Sequence, residues 1–321
     1  MRNLFLIAVL FVQSFTSFSQ SHGISLELKS MKELKKIPSA SGIVRLKDHY
    51  FIIGDDSPWL FETNSKFKIK KKILIFPSGK QFERIPKEMK PDFEALAIDQ
   101  STGTINLLIF GSGSKSPQRD VLVKSSTLKD HETQIFSMNE FYDKMRAAAG
   151  LKKHELNIEG AVLTGGMLFL FDRSNNYLFV YKWEEIEQYL KDYKICPNPK
   201  VYHVNLPKLQ GFQSTFSGAT AAFEGNKIIF TASVENTRDS YHDGEIMGSF
   251  VGSFNLLNLK DGLTPYCELI KDENGEPLKI KAESVCLQKQ AAGNQADLVV
   301  VTDSDGGISQ VMEIKLQYLF R

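Results

Sequence analysis

A short motif recurs five times along the chain and restricts the folds open to it more than any other feature. Each copy is a Glu or Ser, then a small residue, then an apolar run. The copies are Ser41-Gly42-Ile43-Val44, Glu94-Ala95-Leu96-Ala97, Glu159-Gly160-Ala161-Val162, Ser217-Gly218-Ala219-Thr220 and Glu283-Ser284-Val285-Cys286. Their intervals are 53, 65, 58 and 66 residues. A period near sixty marks an array of equivalent units, none of which can bury its apolar face alone.

A denser apolar run follows each copy: Phe51-Ile52-Ile53-Gly54-Asp55, Leu107-Leu108-Ile109-Phe110-Gly111, Leu168-Phe169-Leu170-Phe171-Asp172, Ile228-Ile229-Phe230-Thr231-Ala232 and Leu298-Val299-Val300-Val301-Thr302-Asp303. A third, alternating segment comes next, at residues 59–63, 120–124, 177–183, 249–255 and 309–315. A fourth is present in four units, at 69–76, 133–136, 201–206 and 266–270. Apolar alternation with period two, bounded by turn residues, reads as antiparallel strands. Five units of four antiparallel strands predict an all-β chain folded as a five-bladed β-propeller, with six blades as the alternative. A pair of β-sandwiches would need no such period. The fifth unit shows only three strands, and residues 24–28 form a spare one upstream of the first motif. That N-terminal strand is expected to complete the last blade and close the ring, which protects its edges.

Two helices are expected outside this pattern. Ser137-Met138-Asn139-Glu140 has capping-box spacing ahead of residues 141–149, and 184–193 carries apolar residues at helical period.

Residues 1–19 read as a signal peptide, with Arg2 before an apolar run at 4–12 and small residues Ser17 and Ser19 before Gln20. The run is too short for a membrane span. The remainder, 20–321, is expected to be a single propeller domain, secreted or periplasmic. With 39 Lys and Arg against 38 Asp and Glu, nothing in the net charge favours a nucleic acid or an anionic membrane. The three cysteines, Cys196, Cys267 and Cys286, lie far apart with no zinc-type spacing. They read as buried thiols, although one bridge is open to them.

The Glu-Gly, Glu-Ala and Glu-Ser strand starts, with acidic strand ends such as Phe171-Asp172-Arg173 and Val301-Thr302-Asp303-Ser304-Asp305, resemble the extracytoplasmic propellers grouped as phytase-like, esterase-like or SdiA-regulated. The similarity is greatest to uncharacterised secreted propellers of that broad group. It implies the propeller fold, and it raises a phosphoester or ester hydrolase as an activity. Ser41 and Ser217 depart from the Glu pattern.

In a propeller blade the start of the first strand and the end of the second share one rim. Glu94, Glu159 and Glu283 begin first strands, whereas Asp55, Asp172, Glu235 and Asp303 lie at second-strand ends. Carboxylates gathered on one rim repel one another and lose hydration, so each needs compensation. Calcium or another divalent cation is one answer, with Asp55, Asp172 and Asp303 as ligands. Arg119, Arg173 and Arg238 are a second. Backbone amides of the neighbouring blade are a third, in which case the repeated Glu would serve only to lock the ring. The long polar loop at 236–248 adds His242 as a base or metal ligand. Lys87 and Lys90, in the segment 77–91, add positive charge near the same face.

Three functions follow as expectations. The first is binding of a small polar or anionic molecule at the channel mouth, with or without a divalent cation. The second is a metal-assisted hydrolase using Glu94, Glu159 or Glu283 with Arg119 or Arg173. The third is a scaffold for a protein partner.

Overall fold

The computed structural model describes residues 23–101, 103–127, 132–236, 244–290, 294–304 and 308–319. Residues 1–19, Arg238 and His242 lie outside them. The described chain opens with β1 (Gly23–Glu33) and then forms blade 1 from β2 (Ala40–Leu46), β3 (His49–Gly54), β4 (Trp59–Asn64) and β5 (Ile69–Leu74). Blade 2 is β6 (Phe93–Asp99), β7 (Asn106–Gly111), β8 (Val121–Ser126) and β9 (Thr133–Ser137). Helix α1 (Asn139–Ala149) leads to blade 3, made of β10 (Ile158–Thr164), β11 (Met167–Asp172), β12 (Tyr177–Lys182) and, after α2 (Trp183–Asp192), β13 (Lys200–His203). A two-stranded ribbon, β14 (Lys208–Leu209) and β15 (Phe212–Gln213), precedes blade 4. That blade is β16 (Thr215–Ala222), β17 (Lys227–Asn236), β18 (Glu245–Asn255) and β19 (Tyr266–Leu269). Blade 5 is β20 (Lys281–Gln290), β21 (Gln295–Ser304) and β22 (Ile308–Leu319), completed by β1.

The expected closure is present. β1 pairs antiparallel with β22 from Gly23 opposite Leu319 to Glu33 opposite Gln310. The first strands β2, β6, β10, β16 and β20 each touch the next, and β20 returns to β2, so the five blades form a closed ring. Apolar side chains pack between blades rather than at a single centre. Phe51, Ile53, Phe93 and Leu107 join blades 1 and 2, and Phe169, Phe171, Phe216 and Phe230 join blades 3 and 4. Ile43, Tyr50, Val299 and Val311 join blade 1 to blade 5.

The repeated motif has a local cause. Every first strand carries a β-bulge at the first residue of its motif, so Ser41, Glu94, Glu159, Ser217 and Glu283 all drop out of the pairing register. A bulge leaves one residue unpaired and re-aims its side chain. The small residue that follows answers to neighbouring blades. A Cβ on Gly218 would lie 2.5 Å from Ser284 Cα and 2.8 Å from the Glu283 carbonyl oxygen. One on Gly160 would sit 3.3 Å from Gly218 Cα.

Both helices cover the seam between blades 2 and 3, burying Phe141, Tyr142, Met145, Trp183, Ile186 and Tyr189. Arg146 fixes α1 by donating to both oxygens of buried Asp120, at 3.0 and 2.7 Å. The capping box does not form. Ser137 stays in β9 opposite Val121, and no side chain caps α1. The polar loop is shorter than expected, because Asn236 and Glu245 still pair. Cys196 and Cys286 are buried thiols and Cys267 is half-buried. Among the described residues no helix is long and apolar enough to cross a membrane.

Candidate functional site

At the end of the channel where the first strands begin lies a cavity of about 490 Å³. Four bulge residues face it: Ser41 from blade 1, Glu94 from blade 2, Glu159 from blade 3 and Glu283 from blade 5. The residues two positions earlier, Ser39, Asp92, Asn157 and Lys281, line it as well. Ser39 and Asp92 occupy equivalent places and both adopt positive φ, 45° and 57°. Further along the channel the lining turns apolar, with Val44, Leu96, Val162, Ala221 and Leu287. Arg45 and Thr220 also line that stretch.

Two networks of opposite charges form its floor. In the first, Lys90 is paired with Asp55 and lies 2.5 Å from Asp92 Oδ1. Arg119 pairs with the other Asp92 oxygen and donates to Ser114 Oγ at 2.7 Å. Ser112 donates to the same Asp92 oxygen at 2.6 Å. In the second, Arg173 bridges Glu159 at 2.9 Å and Glu235 at 2.5 Å. Lys281 bridges Glu283 at 3.2 Å and Glu235 at 3.7 Å. Asn157 donates to Glu159 Oε1 at 2.9 Å.

These surroundings separate the carboxyl groups electrically. Burial opposes ionisation of Asp92, but Lys90 and Arg119 prevail and hold it below the usual range. Burial, reinforced by Asp92, Asp55 and Glu159, raises Glu94 well above its ordinary value. Among the described residues no cation lies within ion-pairing distance of Glu94. Burial also pushes Glu283 up to about 7; Lys281 opposes that shift and Glu159 adds to it. Arg173 and Lys281 are held above their ordinary values, since their acidic neighbours outweigh the effect of burial.

The expected site residues are therefore divided. Glu94, Glu159, Glu283, Arg119, Arg173, Asp55 and Asp303 all line the cavity. Glu235 stands behind its wall and joins Arg173 to Lys281. Asp172 does not reach the cavity. It is fully buried and accepts from the backbone amides of Asn157 at 2.8 Å and Asn175 at 3.0 Å. Burial still pushes its carboxyl up to about 7 against those donors. Among the described residues no backbone amide donates to Glu94, Glu159 or Glu283. Ser41 is the bulge residue that ties blades, donating to the Phe93 carbonyl at 2.6 Å, and Ser217 donates within its own blade to Thr231 Oγ1 at 3.0 Å.

Asp92, Lys281, Asn157 and Ser114 were not among the residues expected from the sequence. Asp92, Asn157 and Lys281 lie two positions before a motif, but the residue there differs from blade to blade and so forms no repeat.

Asp55, Asp92 and Glu94 place carboxylate oxygens within 4.8 Å of one another, which is close enough for one metal ion. The Lys90 ammonium, bonded to two of the three, lies in that seat.

Fold and site together define a closed five-bladed β-propeller with an ion-paired cavity at one mouth of its channel. The chain belongs to DUF6929, a family of unknown function whose model matches residues 36–316. No curated protein matches it in sequence. Among solved structures it is similar to a glutaminyl cyclase of Myxococcus xanthus, at 11% identity over 91% of this chain and 97% of that one, with a TM-score of 0.48. It is also similar to the tail fiber of Staphylococcus aureus phage P68, at 10% identity over 92% and 53%, TM-score 0.47. A third is the native arabinanase of Bacillus subtilis, at 10% identity over 91% and 95%, TM-score 0.40. Likeness at this level says nothing about what this chain binds or converts.

Proposed function

We propose that the protein is an exported propeller that binds a small polar molecule in the cavity at its channel mouth. The observation that carries this reading is the bulge repeated in every blade: four of the five bulged residues line one cavity. Its volume falls within the usual range of small-molecule sites, about 300–1,000 Å³. Export rests on the N-terminal sequence and requires the mature chain to begin at or near Gln20, which mass spectrometry of the exported protein would check.

Calorimetric titration with inorganic phosphate, small carboxylates, polyols and amines tests the binding. At least one class should bind with unit stoichiometry and raise the unfolding midpoint, as a ligand of the native state must. Glu94→Trp, which fills the cavity, should abolish both effects. Failure of all four classes would overturn the reading.

A hydrolase of the phytase-like or esterase-like kind is the second reading, and one observation favours it. Glu94 is pushed above its ordinary range by burial beside Asp92, which Lys90 and Arg119 hold below its own, with their oxygens within 4.8 Å. Two carboxyl groups driven apart in this way are suited to acid and base roles. A divalent cation could join Asp55, Asp92 and Glu94 only if Lys90 withdrew. Turnover of phosphoester or carboxylester substrates that Glu94→Gln abolishes would establish this reading; a blank screen would remove it.

A further inference from the structure

We propose that the apolar stretch of the channel is a second binding site, which takes a carboxylate carrying a short hydrocarbon tail. It is separate from the ion-paired mouth and does not rest on the function proposed for that cavity.

The repeated motif builds this stretch as well. The fourth residue of every copy, Val44, Ala97, Val162, Thr220 and Cys286, lines a pocket of about 250 Å³. The next position lines it too, and is Arg45, Ile98, Leu163, Ala221 and Leu287 in blades 1 to 5. Leu96 and Ala219, third residues of their copies, complete the wall and are only 4% and 6% exposed. An apolar cavity of about 150 Å³ stays dry and accepts benzene. The larger space here has room for a hydrocarbon of that class and a small head group.

Arg45 departs from the pattern. Four blades place an apolar side chain at its position, and a residue that breaks a repeat is not explained by the packing of the repeat. Among the described residues that line the pocket, Arg45 alone carries a charge. Burial pushes the Cys286 thiol up, against the pull of Arg45, so the thiol adds no negative charge.

The Arg45 guanidinium reaches across the seam to blade 5 and donates to the Gln288 carbonyl, next to Leu287. A carbonyl is neutral and leaves the positive charge uncompensated. The carboxylate beside it belongs to Asp48, which is 3.6 Å away and 90% exposed. An exposed pair of that kind holds weakly. Guanidinium presents five N–H donors in a planar fork that matches a carboxylate. An ammonium would meet like charge, and an alcohol would leave the charge unmatched. A bare phosphate has no tail to bury against the apolar wall.

The full mature chain is titrated calorimetrically with octanoate, and with octan-1-ol, octylamine and acetate for comparison. Octanoate should bind with unit stoichiometry and raise the unfolding midpoint. Octan-1-ol and octylamine should bind about tenfold more weakly or worse, as the loss of a charge-assisted contact implies. Acetate, a head group without a tail, should not bind. Arg45→Gln should bring octanoate down to the affinity of octan-1-ol. Ala221→Phe, which fills the pocket from a half-buried position, should abolish binding of both; Arg45→Gln suffices should that variant fold poorly. Octan-1-ol or octylamine binding as tightly as octanoate would overturn the carboxylate class. Octanoate binding that survives Arg45→Gln but not Glu94→Trp would belong to the mouth and overturn the second site. Absence of octanoate binding would overturn the proposal and leave the function proposed for the mouth standing.

Discussion

Glu94 and Arg173 face the same cavity yet should respond to mutation in opposite ways. Burial and the neighbouring Asp92 and Asp55 hold Glu94 well above its ordinary range, so Glu94→Gln removes little charge and should move folding stability by no more than about 0.5 kcal/mol. Arg173→Ala leaves Glu159 and Glu235 buried without their shared cation, and breaking a buried pair in this way costs about 3–5 kcal/mol. Urea unfolding of the two variants separates these outcomes. Glu283 should give stability a pH dependence of defined sign. Its carboxyl is raised from 4.5 to about 7 on folding, so the folded protein binds the proton more tightly than the unfolded chain does. The contribution is complete below about pH 4.5 and is lost as the pH rises through about 7. Glu94 acts with the same sign. Midpoints measured across that window should fall with pH in the wild type and fall less steeply in Glu283→Gln; equal slopes would refute the assignment. Sequence reading found the bulge residues because one geometric demand is written five times. It missed Asp92, Asn157 and Lys281 because the offset position holds a different residue in each blade, and no repeat announces it.

Strand number, strand order and the closing strand were legible at the level of elements, since period-two alternation is imposed on every blade by its two neighbours. Helix α1 was legible but its start was not: the Ser of the apparent capping box is held in β9 by pairing with Val121, and sheet pairing outranked a local cap. β1 is the element whose loss should be felt most. It contributes buried Ile24, only 5% exposed, together with half-buried Leu26 and Leu28, to the cluster shared by blades 4 and 5. Ile24→Ala should cost about 2–5 kcal/mol, as large-to-small core changes do. Deleting residues 20–30 should bare the edge of β22 and cause aggregation. Light scattering on the truncated chain, with an unfolding midpoint for the point variant, would show either effect; an unchanged midpoint would refute the role given to this strand.

For the whole molecule the critical distance is the approach of one blade to the next around the channel. Gly218 is its tightest test, because an added methyl would meet the backbone of β20 rather than a side chain that can turn away. Gly218→Ala should cost about 1–3 kcal/mol, the usual penalty of overpacking. It should also weaken ligand binding through displacement of Glu283, although residue 218 never touches the cavity. A variant with native stability and native binding would show that the ring yields more easily than its packing implies.

The pairing of β1 with β22 also sets a timetable. The first and last described strands are neighbours in space yet are made at opposite ends of synthesis, so blade 5 cannot be finished until residues 308–319 have left the ribosome. Contacts of such long sequence separation form late and slowly. Glu283 and Lys281 belong to that blade, whereas Glu94 and Glu159 are in place earlier. A nascent chain therefore carries three or four loosely joined blades and half a cavity, without a closed ring. On the proposed export, such a chain would still be open to threading through a membrane channel, and the cavity comes into being only where the ring finally shuts.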